Sequence, residues 1–584
     1  MARRTDWRAI AGDGLLALLI GCVMTAGWAW RDWPLLSALH LPDTDDMMRL
    51  QQIRDWLAGQ PFRDLAQHRL GVDGLAMHWS RLPDLVPGGI IATLAPSVGR
   101  HQAELAAVIL WPALLFVAAL WLIAAIARRI DGGTSARTAL IVAAIGYPVT
   151  TLFLPGRIDH HGFQIVLLLA IVRLLLAAPR RSTGAAIGLA ATASIVIGLE
   201  TAPFLLVAAA LIWLGWARGA SDGRMLGFGL GFGLSLAFAS VFFASDGWTY
   251  PACDGFTRLT WSGAQLAAFA PVVLALIGQG TASPRLRIGA SGLVGLGLVV
   301  ALLPVAERCA NPYGAVDPML ARLWLAHVGE AQPLLLSPLA TAIGYAGLLV
   351  IGLIASLWCW LRGRGRGWGV IVAFQLAALA LTGVQLRGAY AGAALAAPAL
   401  AVLIGIARRH GSGWLAGAWL ASAGMLYPIA AEALVPSSDP AGTAAATGGG
   451  PTAIGGGCSS PAVLARLAAL PAGTIIAPVD VGAYAIGMTR HRMIAAPYHR
   501  NNAGNAAMYR FFLGDRAGAR AIARATGATY VLLCATSFAE LDPALVANPN
   551  ALLSHLKRRD FPAWLRPADA ARDGAIILRV QPGL

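Results

Sequence analysis

Residues 104–127 read ELAAVILWPALLFVAALWLIAAIA and run straight into Arg128-Arg129. Glu104 opens the stretch, and no residue between it and Arg128 is charged. At 1.5 Å of rise per residue, a helix of this length covers roughly 35 Å, enough to cross the ~30 Å hydrocarbon core of a bilayer. The arginine pair at its end is the kind of basic flank that marks the cytoplasmic side of a span.

Outward from this run the pattern repeats. Apolar runs of about 16–22 residues, each near span length, fall at 14–30, 138–154, 164–178, 184–199, 202–217, 225–244, 263–280, 288–304, 339–361, 369–386, 391–407 and 414–436. With 104–127 they predict about thirteen transmembrane helices. The composition agrees, since 57% of the 584 residues are hydrophobic and only 12% charged. A soluble domain has nowhere to hide so much apolar surface. The net charge of +15 does not point to nucleic acid, because the basic residues form short clusters between apolar runs rather than one block. Arg3/Arg4/Arg8, Arg128/Arg129/Arg137, Arg180/Arg181, Arg218/Arg224, Arg285/Arg287, Arg362/Arg364/Arg366 and Arg408/Arg409 occupy every second gap. The positive-inside rule then puts the N-terminus in the cytoplasm and everything beyond about 437 outside. The first run lacks a small-residue cleavage site and reads as a retained helix. A multi-pass protein of a bacterial inner membrane, with a periplasmic C-terminal part, is expected.

The gaps divide the chain into a transmembrane part (1–436) with large outer loops at 31–103 and 305–338, a linker (437–457) rich in glycine and alanine, and an outer domain (458–584). Within the last, helices are expected at 461–469, 482–488 and 516–526, and strands at 474–478, 492–496, 529–534 and 575–580. This alternation predicts a small α/β domain. Four cysteines fall on the oxidising side, and regional proximity pairs Cys253 with Cys309 and Cys458 with Cys534. Free buried thiols are the other reading.

The polar residues that could carry chemistry gather on the outer side. Pro42-Asp43-Thr44-Asp45-Asp46, Arg157-Ile158-Asp159-His160-His161 and Glu330 bring acids from three separate loops. Hard divalent cations, Mn2+ or Mg2+ here, want several carboxylate oxygens converging in this way, although a helix N-cap or a solvated loop gives the same local pattern. Arg387, at the outer end of the eleventh run, breaks the positive-inside distribution and calls for an anionic partner such as a lipid-linked phosphate, or for lipid headgroups within its reach.

At these residues the chain resembles the catalytic subunits of oligosaccharyltransferases, membrane enzymes of the type C glycosyltransferase fold. The resemblance runs the whole length. Asp43-Thr44-Asp45 is similar to that family's first-loop acidic motif, and Asp159-His160-His161-Gly162 to its second. His327-Val328-Gly329-Glu330-Ala331-Gln332-Pro333 matches its fifth-loop Glu-x-Gln-Pro string, and Thr382-Gly383-Val384-Gln385-Leu386-Arg387 its helix-eleven arginine. The resemblance implies an inverting displacement at the anomeric carbon of a polyprenyl-(di)phosphate-linked sugar. It gives Asp45 the metal and the acceptor nucleophile, with Asp43 beside it. Asp159, His161 and Glu330 complete the metal shell, and Arg387 and His160 hold the donor phosphate.

Two departures stand out. His161 occupies a usual carboxylate position, which shifts the metal preference toward manganese or zinc, turns the imidazole to phosphate, or leaves it packed at a helix mouth. The family's WWDYG motif, which recognises the hydroxyl residue of an Asn-x-Ser/Thr acceptor, is reduced here to Pro478-Val479-Asp480-Val481-Gly482, with both tryptophans gone. Asp480, Tyr498, His499, Arg500 and Asn501 are therefore expected to bind an acceptor of another kind, whether a protein site, a lipid or a glycan. A turn capping the next helix accounts for 498–502 equally. The Met77-His78-Trp79-Ser80-Arg81 segment also resembles part of the family's first loop, and its role stays open. Two other functions remain in view. One is a single-sugar transferase acting on lipid A or surface polysaccharide; the other is a transporter or flippase of lipid-linked sugars. Charges gathered at the outer face, with no visible internal repeat, weigh against transport.

Overall fold

A computed structural model describes residues 7–219, 222–281, 283–309, 316–434, 457–570 and 574–581. The described residues of all thirteen apolar runs form helical structure, but of three kinds. Eight helices are long and apolar enough to cross a membrane, from Arg8–Arg31 to Leu386–Ala407. A ninth candidate, Ser412–Ser422 with Leu426–Ala433, is bent by 89°. His161–Leu175, Arg181–Ile197 and Ala202–Ala217 are apolar helices of 15, 17 and 16 residues. At the α-helical rise they are shorter than a full hydrocarbon crossing of about 30 Å. The 138–154 run breaks at Gly146-Tyr147-Pro148 into the helix Gly133–Ala144 and the single 3-10 turn Val149–Phe153. A further apolar helix, Leu85–Val98, lies inside the first outer loop.

Small residues let two of these helices meet backbone to backbone. Gly184 and Gly188 on Arg181–Ile197 face Gly227 and Gly231 on Asp222–Phe243, and a methyl at any of the four would overlap backbone of the other helix. In lipid, where apolar side chains gain nothing by leaving their surroundings, close backbone packing is what holds helices together.

The C-terminal domain, expected on the outer side and called the outer domain below, is a five-stranded sheet with helices around it. Its strand order is Arg492–Met493, Thr474–Ile476, Tyr530–Cys534, Ala575–Val580, Leu565–Pro567; the first three are parallel and the last two antiparallel. Leu565–Pro567 was not anticipated from the sequence. The buried strand Tyr530–Cys534 reads as a continuous apolar run, as a strand covered on both faces must. Cys458 is bonded to Cys534, and Cys253 to Cys309, with Cα separations of 5.6 and 5.4 Å. The expected linker lies outside the described residues except for Gly457.

The domain sits on the first outer loop. Leu70 bridges Met493 in parallel, so that loop extends the sheet edge; Gly71 N donates to Met493 O (2.8 Å) and Met493 N to Arg69 O (2.8 Å). Arg69 and Arg54 cap the C-terminal end of the helix Val481–Met488 by donating to the carbonyls of Ile486, Thr489 and Gly487. His40 stacks on Tyr484 with ring centroids 4.7 Å apart. The second large outer loop joins the same domain. Leu320 and Trp324 are buried in its core, and the Tyr509 hydroxyl donates to Leu323 O (3.1 Å).

Candidate functional site

Asp43 is the N-cap of the helix Thr44–Leu57, its carboxylate accepting from Asp45 N at 3.1 Å. An Asp at an N-cap satisfies one of the helix's orphan amides and faces the positive end of its dipole. That cap fixes Asp45 in the first turn. The loop carrying Asp159 closes on it, because Gly156, at φ +93°, allows an approach to Pro42 that a side chain would block. Arg157 then pairs with Asp43 (2.8 Å) and Asp46 (3.2 Å), and Asp46 accepts from the Asp159 amide at 2.8 Å. Two sequence-distant acidic segments are thereby locked together.

Arg157 forms ion pairs with Asp43 and Asp46, whereas Asp45 has no ion pair of its own among the described residues. Burial, then the charges of Asp159 and Asp43, raise the Asp45 carboxyl well above the ordinary carboxylate range; Glu330 adds to this. Acids crowded in this way are what a bound cation relieves. The ligand atoms of Asp159, His160 and His161 lie within 4.8 Å of one another, and His161 Nε2 is 3.4 Å from Asp159 Oδ2. This donor set, one carboxylate with two imidazoles, fits a divalent ion.

His160 is not placed as expected. Its Nδ1 donates to Asp159 (2.5 Å) and its Nε2 to Glu200 (3.2 Å), so both nitrogens serve carboxylates rather than a phosphate. Burial alone would lower this imidazole, yet the charges of Asp159 and Glu200 push it up to about 10. Glu200 also accepts from Gln164 (3.0 Å). Sequence reasoning missed Glu200, although a lone acid between two apolar runs at their outer end was a usable signal.

Glu330 and Arg387 come together through backbone. Leu386 N donates to Gln332 O at 3.0 Å, which pins the Glu330 turn against the turn carrying Arg387, whose Nε donates to Gln385 (2.7 Å). Asp45, Glu200, Glu330 and Arg387 all line one cavity of about 400 Å³. His78, Asp254, Trp324, Tyr498 and His499 line the same cavity.

Of the five expected acceptor residues, only Tyr498 and His499 reach this cavity. Tyr498 donates to Thr44 O at 3.2 Å and meets Trp79 edge-on at 5.6 Å. His499 and Arg500 converge on Asp254, at 2.6 Å for His499 and 2.7 and 2.6 Å for the two arms of the Arg500 fork. Burial would raise Asp254, but hydrogen bonds from Arg500 and His499 hold it well below the ordinary range. Arg500 is thus a clasp between the outer domain and the loop after Phe243. Asn501 is buried and donates to Ile494 O (2.9 Å) and Asn505 (3.0 Å), so its amide is a structural tie. Asp480 is the N-cap of the helix Val481–Met488 and lies off the cavity. Asp254 was missed because its partners are some 245 residues away.

No family model matches this chain, and no curated protein matches it. Among solved structures the fold is that of oligosaccharyltransferases from Archaeoglobus fulgidus. The enzyme AglB, in complex with an inhibitory peptide and a dolichol-phosphate, superposes with a TM-score of 0.63 at 15% identity, covering 92% of this chain and 70% of its own. A second structure, tethered to an acceptor peptide containing the NVT sequon, gives 0.63 at 15%, covering 91% and 70%. A third, a complex with Zn and sulfate, gives 0.58 at 15%, covering 90% and 68%. At this identity the likeness is one of fold.

Proposed function

We propose that this chain is a membrane glycosyltransferase of the oligosaccharyltransferase kind, moving a sugar or oligosaccharide from a polyprenyl-(di)phosphate donor to an acceptor on the periplasmic side of a bacterial inner membrane. The observation that carries this is the convergence of Asp45, Glu200, Glu330 and Arg387 on one cavity, between the helices and the outer domain. The neighbouring structures support it, since one of them holds a dolichol-phosphate and another an acceptor peptide.

Asp45, Asp159, His161 and Glu330 would hold a divalent ion, which when bound offsets the negative charge of the leaving phosphate. Arg387 meets that phosphate with a planar fork that suits its oxygens. Asp45 orients the acceptor, and the domain above excludes water from the cavity. The imidazolium of His160, between Asp159 and Glu200, keeps both carboxylates ionised and turned toward the site. The chemistry asked of the protein is positioning and charge compensation for an inverting displacement.

The test is transfer of label from extracted polyprenyl-linked sugars in reconstituted membranes. Asp45→Ala and Glu330→Ala are expected to lower transfer about 100-fold or more, as loss of a charge-stabilising group does. Chelation should abolish activity in wild type, with Mn2+ or Mg2+ restoring it. Equal transfer by wild type and both variants would remove the catalytic reading.

A further inference from the structure

His78, Asp254, Trp324 and His499 line the cavity yet hold neither the cation nor the donor phosphate in that reaction. His78 lines the cavity, and its ring makes no hydrogen bond among the described residues. It is held firmly by other means. Gly255 packs so closely on the His78 carbonyl that a methyl there would overlap it. The ring lies 5.3 Å from Trp79 and 4.9 Å from His499, centroid to centroid. The charged groups facing it are His499, Arg500, Asp254 and Glu200, drawn from the outer domain and two separate loops. Burial, then the charge of His499, hold its imidazole well below the ordinary value, so the ring is neutral and keeps a nitrogen able to accept a proton.

The same cavity offers Trp324 and Tyr498 as aromatic surfaces, with Asp254 as a buried acceptor of hydrogen bonds. A cavity of aromatic faces and a few fixed polar groups suits a sugar ring better than an extended peptide. A hydroxyl nucleophile must also surrender a proton as it attacks. Asp45, Asp159 and Glu330 face the cation in the preceding reading, and His499 gives its Nε2 to Asp254. Glu200 accepts from His160 and Gln164, so His78 is the base in this lining whose ring holds no hydrogen bond among the described residues.

Building on that reading, we propose that the acceptor is a saccharide hydroxyl and that His78 takes its proton. The acceptor O–H bond breaks, with the proton passing to a His78 ring nitrogen. The oxygen forms the new bond to the anomeric carbon. The bond from that carbon to the phosphate oxygen breaks, with its electron pair leaving on the phosphate.

The experiment uses full-length protein in liposomes with radiolabelled polyprenyl-linked sugars and two acceptor probes, a set of oligosaccharide glycosides and an Asn-x-Thr peptide. Wild type should label the saccharides and not the peptide. His78→Gln should cut that transfer about 100-fold or more, keep wild-type donor binding, and lose the acidic limb of the pH profile. His78→Gly should regain transfer when imidazole is added, which a folding defect would not do. Label on the peptide amide alone, or a His78→Gln enzyme with wild-type rate and acidic limb, overturns the proposal and leaves the transferase reading standing. Wild type that labels neither probe, with donor turnover indifferent to Asp45→Ala, overturns both.

Discussion

Arg49 shows what single residues do around the cavity. Fully buried, it pairs with Asp84 at 2.7 Å, lies 3.7 Å from Asp159 and covers the Trp79 ring at 4.7 Å. A buried ion pair adds little over an apolar packing, but removing one partner strands the other charge. Arg49→Met should therefore destabilise the protein by about 3–5 kcal/mol, read as a lower melting temperature in detergent. Arg81, already 3.3 Å from Asp84, keeps that carboxylate partly paired, so the loss should fall at the lower end of this range, and an unchanged melting temperature would overturn the prediction. At this scale the sequence was informative where function needs a particular side chain at a particular local spacing. Asp43, Asp45, Asp159, Glu330 and Arg387 could be picked out because each sits in a short patterned string. His160, Arg500 and Asn501 could not be assigned from their type, because a donor-rich side chain serves a carboxylate, a carbonyl or a ligand equally well. Only its neighbours decide.

Helices and strands were legible in proportion to how far local pattern determines them. The outer-domain helices appear at Pro461–Ala468, Val481–Met488 and Arg516–Ala525, close to where the periodicity puts them. Leu565–Pro567 escaped notice since an edge strand of this length has too few residues to show alternation. Apolar runs located helices but not their lengths, because hydropathy does not register where the backbone breaks. The pairing of Arg181–Ile197 with Asp222–Phe243 gives a test at this scale. Gly188→Val forces a branched side chain into the backbone of the facing helix at Phe232. Overpacking of this kind costs about 1–3 kcal/mol, so a lower melting temperature is expected, while Gly215→Val, where a Cβ meets open space, should leave it unchanged.

Across the whole molecule, the outer domain completes the site by being held over it. The Leu70–Met493 bridge, the Arg500–Asp254 clasp and the burial of Leu320 and Trp324 each tie it to a different outer segment. The Cys458–Cys534 bond spans 76 residues of sequence and secures the start of the domain to its central strand. Closing a loop of that size in the unfolded chain is worth about 2–4 kcal/mol. Cys458→Ser with Cys534→Ser should then increase amide hydrogen exchange across 458–534, with the membrane helices unaffected.

The sequence by itself determined where the apolar helices and the C-terminal α/β domain fall, and which short strings between the helices hold acids and an arginine. These are properties of composition and local spacing, and a run of apolar residues has the same preference for lipid wherever the chain takes it. The tertiary structure alone decided that Glu200 and Asp254 belong to the cavity, that His160 serves carboxylates, and that His78 lines the same cavity as Asp45. Each of those facts depends on residues tens to hundreds of positions apart meeting within a few ångströms. Electrostatic and hydrogen-bond energies depend on that distance in space and carry no trace of it along the chain.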